Sequence, residues 1–150
     1  MKRYNFRLQR VLDIKQIFQE LRERELREAN NKLRQEENNL AVLEKETSRQ
    51  QINARGVEAG TPAFFSLFSG YFSLLLRIKE FQRDRIANAQ NEVNVRMKTL
   101  MNAFREKKVI ENLKERKRQE YVRDSEKEEQ NFIDEISGAH KFLEKKSENN

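Results

Sequence analysis

Glycine and proline, the residues that most readily end a helix, are almost confined to one short stretch of this 150-residue chain. The stretch holds the only proline and three of the four glycines, at Gly56, Gly60, Pro62 and Gly70. Thr61 suits a helix cap, and Pro62 suits the first position of the helix that follows. The sequence therefore predicts one helix over about residues 5–55, a turn at 56–62, and a second helix over about 62–145.

Apolar residues recur every three or four positions in both predicted helices. In the first helix they are Val11, Ile14, Phe18 and Leu21 and then, after a skip of one residue, Leu26, Ala29, Leu33, Leu40 and Leu43. In the second helix they are Ile86, Ala89, Val93, Met97, Leu100, Phe104, Ile110 and Leu113. A stripe this narrow needs one partner helix along its length, and a single short turn makes the neighbouring helix that partner. We therefore expect an all-α fold: a long antiparallel two-helix coiled-coil hairpin that forms one domain and is monomeric in isolation.

The residues that carry most enzyme chemistry are scarce. The chain has no cysteine, its only histidine is His140 near the end, and no glycine pattern resembles a phosphate-binding loop. Charged residues make up 37% of the chain, as in long helices with solvated faces. No apolar signal-peptide core follows the basic start. These features predict a cytoplasmic protein that is not an enzyme and binds no cofactor and no metal.

The second predicted helix is longer than the first and extends beyond it. Pairing reaches back only to about residue 113, which leaves residues 114–131 as either a single exposed helix or a frayed segment. A further short stripe follows at Phe132, Ile136, Ala139 and Leu143. We interpret it as a docking segment that becomes ordered on a partner, and we expect a disordered tail up to residue 150.

The start of the second helix is apolar on most of its circumference, and residues 59–76 carry no charge. We expect a partner-binding site here, at Phe64, Phe65, Phe68, Tyr71, Phe72 and Leu75. A thickened core is one alternative, and contact with a membrane interface is another. Ser66, Ser69, Gly70 and Ser73 interrupt the segment, which argues against stable membrane insertion.

The opposite end is basic. Residues 1–27 and residues 101–123 each contain eight basic and four acidic side chains, and antiparallel pairing brings the two stretches together. They form either a solvated surface or a site for an acidic partner. Acidic residues are interleaved throughout and no continuous basic block is present, so we expect no nucleic-acid binding.

Two motifs resemble one protein family. The start, Tyr4-Asn5-Phe6-Arg7-Leu8-Gln9-Arg10-Val11-Leu12, resembles the F-x-F-R-L-Q-x-V-L opening of the FliJ family of bacterial flagellar export proteins. Glu129-Gln130 followed by Asp134-Glu135 is similar to that family's E-Q-x-x-x-D-E signature. Tyr71-Phe72, Leu75 and Ile78 follow a turn with glycine and proline, as in the second helix of the family.

The resemblance implies a non-enzymatic component of the flagellar type III export apparatus, similar to the central stalk of rotary ATPases. Its partners would be the flagellar export ATPase ring, the cytoplasmic domain of the membrane export gate, and escort chaperones of exported subunits. It would then be cytoplasmic and peripherally associated with the inner face of the membrane at the flagellar base.

Each end of the hairpin then has an expected role. The ATPase-facing end comprises Arg3, Phe6, Arg7, Leu8, Gln9, Arg10, Lys114, Arg116, Lys117, Arg118, Gln130, Asp134 and Glu135. The apolar end, at Phe64, Phe65, Phe68, Tyr71, Phe72 and Leu75, would face the gate or a chaperone. Two alternatives remain: the homologous stalk of a virulence-type III secretion system, and a generic structural coiled coil that self-assembles. Gly56, Gly60 and Pro62 argue against the second.

Overall fold

The protein is an all-α hairpin, as the sequence predicts. A computed structural model describes the backbone of residues 4–55 and 60–148 and the side chains up to Lys141. Helix α1 spans Gln9–Arg55 and helix α2 spans Pro62–Glu148, and the described residues contain no strand. Most of the predicted turn, including Gly56, lies outside the described residues. Thr61 precedes α2 and accepts hydrogen bonds from the backbone N–H groups of Phe64 and Phe65 at its carbonyl oxygen.

Helix α1 begins four residues later than the apolar pattern predicts. The segment ahead of it forms a turn, in which the backbone N–H of Gln9 donates to the carbonyl of Phe6 over 3.0 Å. Two compact units make up the fold. Unit 1 contains Met1–Ile17 and Arg105–Asn150, and unit 2 contains Phe18–Phe104.

The core of unit 2 is a heptad seam along each helix. Inward positions of α1 recur at seven-residue steps through Leu26, Leu33, Leu40 and Thr47 and through Ala29, Glu36, Leu43 and Gln50. Those of α2 recur through Phe68, Leu75, Gln82, Ala89, Arg96 and Ala103 and through Phe72, Lys79, Ile86, Val93 and Leu100. Glu25 pairs with Arg96 over 3.2 Å and Glu36 pairs with Arg85 over 2.9 Å. Because the numbers rise in one helix as they fall in the other, the helices are antiparallel.

The predicted seam is wrong at the start of α1. Val11, Ile14, Phe18 and Leu21 are exposed, whereas Leu12, Lys15, Gln19 and Arg22 are among the half-buried positions. The reason is the heptad itself: seven-residue steps back from Leu26 and Ala29 reach these four positions, and a continuous helix cannot skip a residue without disturbing its coiled coil. One cost is visible, because the side-chain oxygen of Gln19 is buried without a hydrogen-bond partner in the described part of the chain.

The same rule corrects two positions of α2. Met97 and Phe104 were expected in the seam, yet both are exposed. Arg96 and Ala103 take the inward positions, seven and fourteen residues after the buried Ala89. The two helices therefore carry apolar side chains on their outer surfaces as well as in the seam, and these outer side chains are candidates for binding.

A polar layer interrupts the seam at Glu36, which lies between Leu33 and Leu40 of the predicted apolar stripe. The Gln82 amide donates to the Glu36 carboxylate over 2.6 Å and to its backbone carbonyl over 3.0 Å, and Arg85 donates to the carboxylate over 2.9 Å. Glu36 and Gln82 are both buried. This polar pair finds its hydrogen-bond partners in a single alignment of the two helices, so it favours that alignment. It thereby determines which side chains face outward.

The same contacts act on the charge of Glu36. The Gln82 hydrogen bond, and then the Arg85 guanidinium, lower the pKa of the Glu36 carboxyl below its ordinary value of 4.5. Because this pKa is lower in the folded chain than in the unfolded one, the ionised carboxylate stabilises the fold above that ordinary value. The contribution is lost as the pH falls through the folded-state pKa.

We therefore expect Glu36→Gln to have a lower free energy of unfolding than the wild type at neutral pH. We also expect the variant to lose less of that free energy than the wild type does when the pH is lowered. The measurement is the midpoint of urea unfolding, followed by circular dichroism, from neutral pH down to pH values below the ordinary carboxyl pKa. Glu37→Gln is the matched control, since Glu37 is the exposed next residue. Equal acid dependence of the wild type and Glu36→Gln would show that the layer makes no such contribution.

Candidate partner-binding surfaces

In unit 1 the residues ahead of α1 continue the pairing with α2. The Tyr4 hydroxyl donates to the backbone carbonyl of Lys114 over 3.2 Å, and the rings of Tyr4 and Tyr121 lie 5.5 Å apart between centroids. The expectation that α2 is unpaired from Lys114 onward is therefore wrong as far as Tyr121, whereas residues 126–141 are exposed. Residues 4–8 are not helical and have no apolar periodicity, so the apolar stripe gave no indication that they pair with α2.

The residues predicted to face the ATPase fall into two groups within unit 1. Phe6 is buried, and Leu8, Gln9 and Lys114 are half-buried, so their side chains contribute to packing. The exposed members are Arg7, Arg10, Arg116, Lys117, Arg118, Gln130, Asp134 and Glu135. Arg3 lies outside the described residues.

The exposed cations of unit 1 differ in whether they are already paired. Lys117 forms an ion pair with Glu120 over 2.7 Å, and that hydrogen bond raises the pKa of the lysine. Arg7, Arg10, Arg116 and Arg118 form no ion pair with the residues that the structure describes. These four guanidinium groups are available to carboxylates of a partner.

Sequence reasoning missed an apolar surface beside two of these arginines. Val11, Ile14 and Ile17 are exposed on α1, where Val11 directly follows Arg10 and Ile17 lies about two helical turns after it. Exposed apolar side chains next to unpaired cations are typical of a protein-binding surface. The signal was the skip in the apolar stripe, which marks a second face of the helix and not a shifted core.

The end of α2 in unit 1 is the most exposed part of the helix. Every residue over 126–141 is exposed, including Phe132, Ile133 and Ile136. Within this segment the Gln130 amide donates to the Asp134 carboxylate over 3.0 Å, so two residues of the signature lie on one face. The side chain of Leu143, the last member of the predicted short stripe, is outside the described residues.

At the loop end of unit 2, where α1 ends and α2 begins, the predicted aromatic set splits between core and surface. Leu75 is 6% exposed, and Phe68 and Phe72 are half-buried, so these three line the seam. Phe64, Phe65 and Tyr71 are exposed. The rings of Phe64, Phe68 and Phe72 stack in sequence, with centroids 6.3 and 6.2 Å apart. This end thus has apolar side chains both in the seam and on an exposed face, and the binding of a partner here stays a prediction.

Four apolar residues at this end were not among the predicted site residues. Leu67, Leu74, Ile78 and Phe81 are exposed on the outer side of α2, in line with Tyr71. A shallow groove of about 780 Å³ lies along the start of this line, and its lining includes Ser66, Gly70 and Leu74. The steps of four, three, four and three residues from Leu67 to Phe81 could have identified this second stripe.

No helix in the described residues is both long and apolar enough to span a bilayer. Comparison with curated proteins and with solved structures found no match. The model of the family described as Flagellar FliJ protein matches residues 4–146, which is nearly the whole chain and includes both motifs noted in the sequence. The chain therefore belongs to the FliJ family of flagellar proteins.

Proposed function

We propose that this non-enzymatic component of the flagellar export machinery is a stalk-like coiled coil that binds the export ATPase ring, the export gate and escort chaperones. The observation that carries the proposal is that both units of a FliJ-family chain expose large apolar side chains outside the seam. Soluble proteins rarely leave such side chains in continuous patches unless a partner covers them. The virulence-type stalk remains the alternative, and the flagellar family model favours the flagellar role.

Unit 1 supplies the surface proposed for the ATPase. It combines the exposed Val11, Ile14 and Ile17 of α1 with Arg10 and with Arg7, which lies just ahead of α1. Neither arginine forms an ion pair within the part of the chain that the structure describes. On α2 it adds Arg116 and Arg118 and the exposed segment that bears Gln130, Asp134 and Glu135. Apolar area provides affinity, while guanidinium groups give orientation and attract an acidic surface.

The loop end of unit 2 supplies the surface proposed for the gate or a chaperone. Phe64, Phe65 and Tyr71 are exposed in a segment without any charge. Aromatic side chains bury a large area at a small entropic cost and often dominate binding energies. Binding to the cytoplasmic domain of a membrane gate would hold the protein at the inner face of the cell membrane, at the flagellar base.

The loop-end assignment is tested by the double variant Phe64→Ala, Phe65→Ala. Each ring lies in the first turn of α2 and is exposed, so the variant should keep the fold. We expect its affinity for the purified cytoplasmic domain of the export gate to fall by at least roughly tenfold, since loss of one interface aromatic commonly costs more than about 1 kcal/mol. Isothermal titration calorimetry measures the change.

The matched control is Val42→Ala, Ile52→Ala, which removes two exposed apolar side chains from α1 of the same unit. It should bind the gate domain as the wild type does. Equal gate affinity of the wild type and the phenylalanine variant, with each escort chaperone tested in parallel and also bound normally, would contradict the assignment of the loop end.

A further inference from the structure

At the loop end of unit 2, the two helix faces that meet in the seam differ in chemistry. The face of α2 is apolar and largely aromatic, and it consists of Phe68, Phe72 and Leu75. The face of α1 is polar or small over its last two heptads, at Thr47, Gln50 and Ala54. These side chains offer the aromatic rings less apolar area than a leucine would. The apolar face of α2 is therefore incompletely matched by its own partner helix.

From this mismatch we propose that residues 43–55 of α1 open locally and that an amphipathic helix of the partner takes their place against Phe68, Phe72 and Leu75. We call residues 43–55 the α1 end segment. The proposal rests on the proposed function of the loop end and names the kind of structure that this end binds. The partner then contacts the buried face of α2 as well as the exposed rings.

The polar side chains of the α1 end segment are bonded within α1. Thr47 is 5% exposed, and its hydroxyl donates to the backbone carbonyl of Leu43 over 2.7 Å. The amide of the half-buried Gln50 donates to the Glu46 carboxylate over 2.7 Å. Neither bond reaches α2, so opening of the segment costs no hydrogen bond between the helices.

Cross-helix polar contacts do occur further from the loop in unit 2. Glu36 accepts hydrogen bonds from Gln82 and Arg85, and Glu25 accepts one from Arg96 over 3.2 Å. Between the Glu36 layer and the loop, no hydrogen bond or ion pair joins the two helices within the described residues. Local opening is easiest where such contacts are few, so it should start at the loop and stop at the Glu36 layer.

The aromatic face of α2 keeps its order without help from α1. The ring centroids of Phe64 and Phe68 lie 6.3 Å apart and those of Phe68 and Phe72 lie 6.2 Å apart. The interplanar angles are 17° and 18°, so the three rings stack along one helix. A face that is already arranged for binding loses little further entropy when a partner arrives.

The spacing of this face determines what can replace the α1 end segment. Phe68, Phe72 and Leu75 follow steps of four and three residues, which is the repeat that packs against another helix. Residues 59–76 carry no charge, so the face selects an apolar stripe and not an ion pair. A partner helix with leucine or valine where α1 has Thr47 and Gln50 would bury more apolar area than α1 does.

Two variants of the α1 end segment test this competition, because a partner that binds only the open state loses apparent affinity as that state becomes rarer. Thr47→Val, Gln50→Leu improves the match of α1 to the rings. It should weaken binding of the purified cytoplasmic domain of the export gate by at least roughly tenfold. Leu43→Ala should destabilise the hairpin yet strengthen binding by roughly tenfold. Titration calorimetry measures both, with each escort chaperone tested in parallel.

Leu33→Ala is the matched control for the second variant. Leu33 is half-buried in the α1 seam, as Leu43 is, but it lies on the other side of Glu36 from the loop. The control should lower the free energy of unfolding as Leu43→Ala does and still bind the gate domain as the wild type does. This comparison separates local opening from a general loss of stability.

Hydrogen exchange measures the opening in the protein alone. We expect the backbone amides of the α1 end segment to exchange through local opening, faster than those of residues 22–34 of the same helix. Thr47→Val, Gln50→Leu should slow exchange in the segment by at least roughly tenfold and leave residues 22–34 unchanged. Exchange of the segment only through global unfolding of the wild type would overturn the proposal.

The binding results can also overturn it. Wild-type affinity in both Thr47→Val, Gln50→Leu and Leu43→Ala, with binding still lost in Phe64→Ala, Phe65→Ala, would refute the opening and leave the proposed function standing. An equal loss of affinity in Leu43→Ala and Leu33→Ala would show that these leucines act only through stability. A wild type that binds neither the gate domain nor any chaperone would refute the proposed function of the loop end and the partner helix with it.

Discussion

A chain that lacks residues 126–150 is expected to lose binding to the flagellar export ATPase while keeping its hairpin fold. The deletion removes Gln130, Asp134 and Glu135 together with the exposed Phe132 and Ile136. Losing several interface side chains, at about 2 kcal/mol for each dominant one, should weaken binding by more than roughly a hundredfold. Affinity for the purified ATPase, measured by titration calorimetry, gives the result.

The position of the cut is set by the contacts in unit 1. A cut at residue 114 would also remove Tyr121 and the Lys114 carbonyl, both of which contact Tyr4. A cut after the half-buried Ser125 keeps these contacts, and every residue over 126–141 is exposed. Lost ATPase binding in the shorter chain can therefore be assigned to missing contact residues.

A second variant guards against an indirect effect of shortening the helix. Phe132→Ser, Ile136→Ser keeps the full length and changes only exposed side chains, and it should weaken ATPase binding in the same direction but by less. Far-ultraviolet circular dichroism of both variants reports whether the helices persist. Undiminished ATPase binding by the shortened chain would show that the end of α2 is not the ATPase-facing part.

Val93→Asp is expected to cause the largest loss of stability of any variant considered. Val93 is 7% exposed, and it occupies the seam position of unit 2 that follows the buried Ala89 along α2. An aspartate there would bury a carboxylate without a partner, or would gain a proton at the cost of its charge. A buried charge that is left without a partner typically costs about 3–5 kcal/mol, which is a large fraction of the stability of a small domain.

The control for this prediction lies two residues further along the same helix. Val95 is 58% exposed, so Val95→Asp should change the free energy of unfolding by no more than about 0.5 kcal/mol. Urea unfolding followed by circular dichroism measures both variants. Similar losses in the two variants would contradict the heptad assignment of the α2 seam, because that assignment alone separates the two positions.

The fold was predictable from the sequence because its two strongest signals agree. Breakers are concentrated at one turn, and the apolar stripes on either side have the spacing of a two-helix seam. The start of α2, with Thr61 as its cap, and the end of α2 were therefore predictable to within a few residues. The start of α1 was less so, because residues 4–8 pack through Tyr4 without any helical repeat.

The inward face was not fully predictable, since helical spacing cannot rank two apolar faces. At the start of α1, Val11 and Ile14 match a core better than the half-buried Lys15 does. Lys15 becomes an acceptable inward residue only because Glu106 on α2 accepts its ammonium group at 2.6 Å. Glu36 is likewise explained by Gln82. Such pairs depend on which residues meet across the helices, and the sequence of one helix does not contain that information.

The candidate surfaces were predictable in location but less so in detail. The loop end and the basic end were both identified from composition. However, the inward Phe68, Phe72 and Leu75 could not be separated from the outward Leu67 and Leu74, since the segment is apolar on nearly all sides. Only the packing against α1 decides between the two faces. The roles of these surfaces remain proposals.

The most direct test of the account is a pull-down from the source cell with the full chain, the chain lacking residues 126–150, and the variant Phe64→Ala, Phe65→Ala. The account predicts that the full chain recovers the flagellar export ATPase together with the gate protein or an escort chaperone. The shortened chain should lose the ATPase, and the phenylalanine variant should lose the gate or chaperone. Recovery of neither partner by the full chain, with only the chain itself or nucleic acid retained, would contradict the claim that this protein links parts of the export machinery.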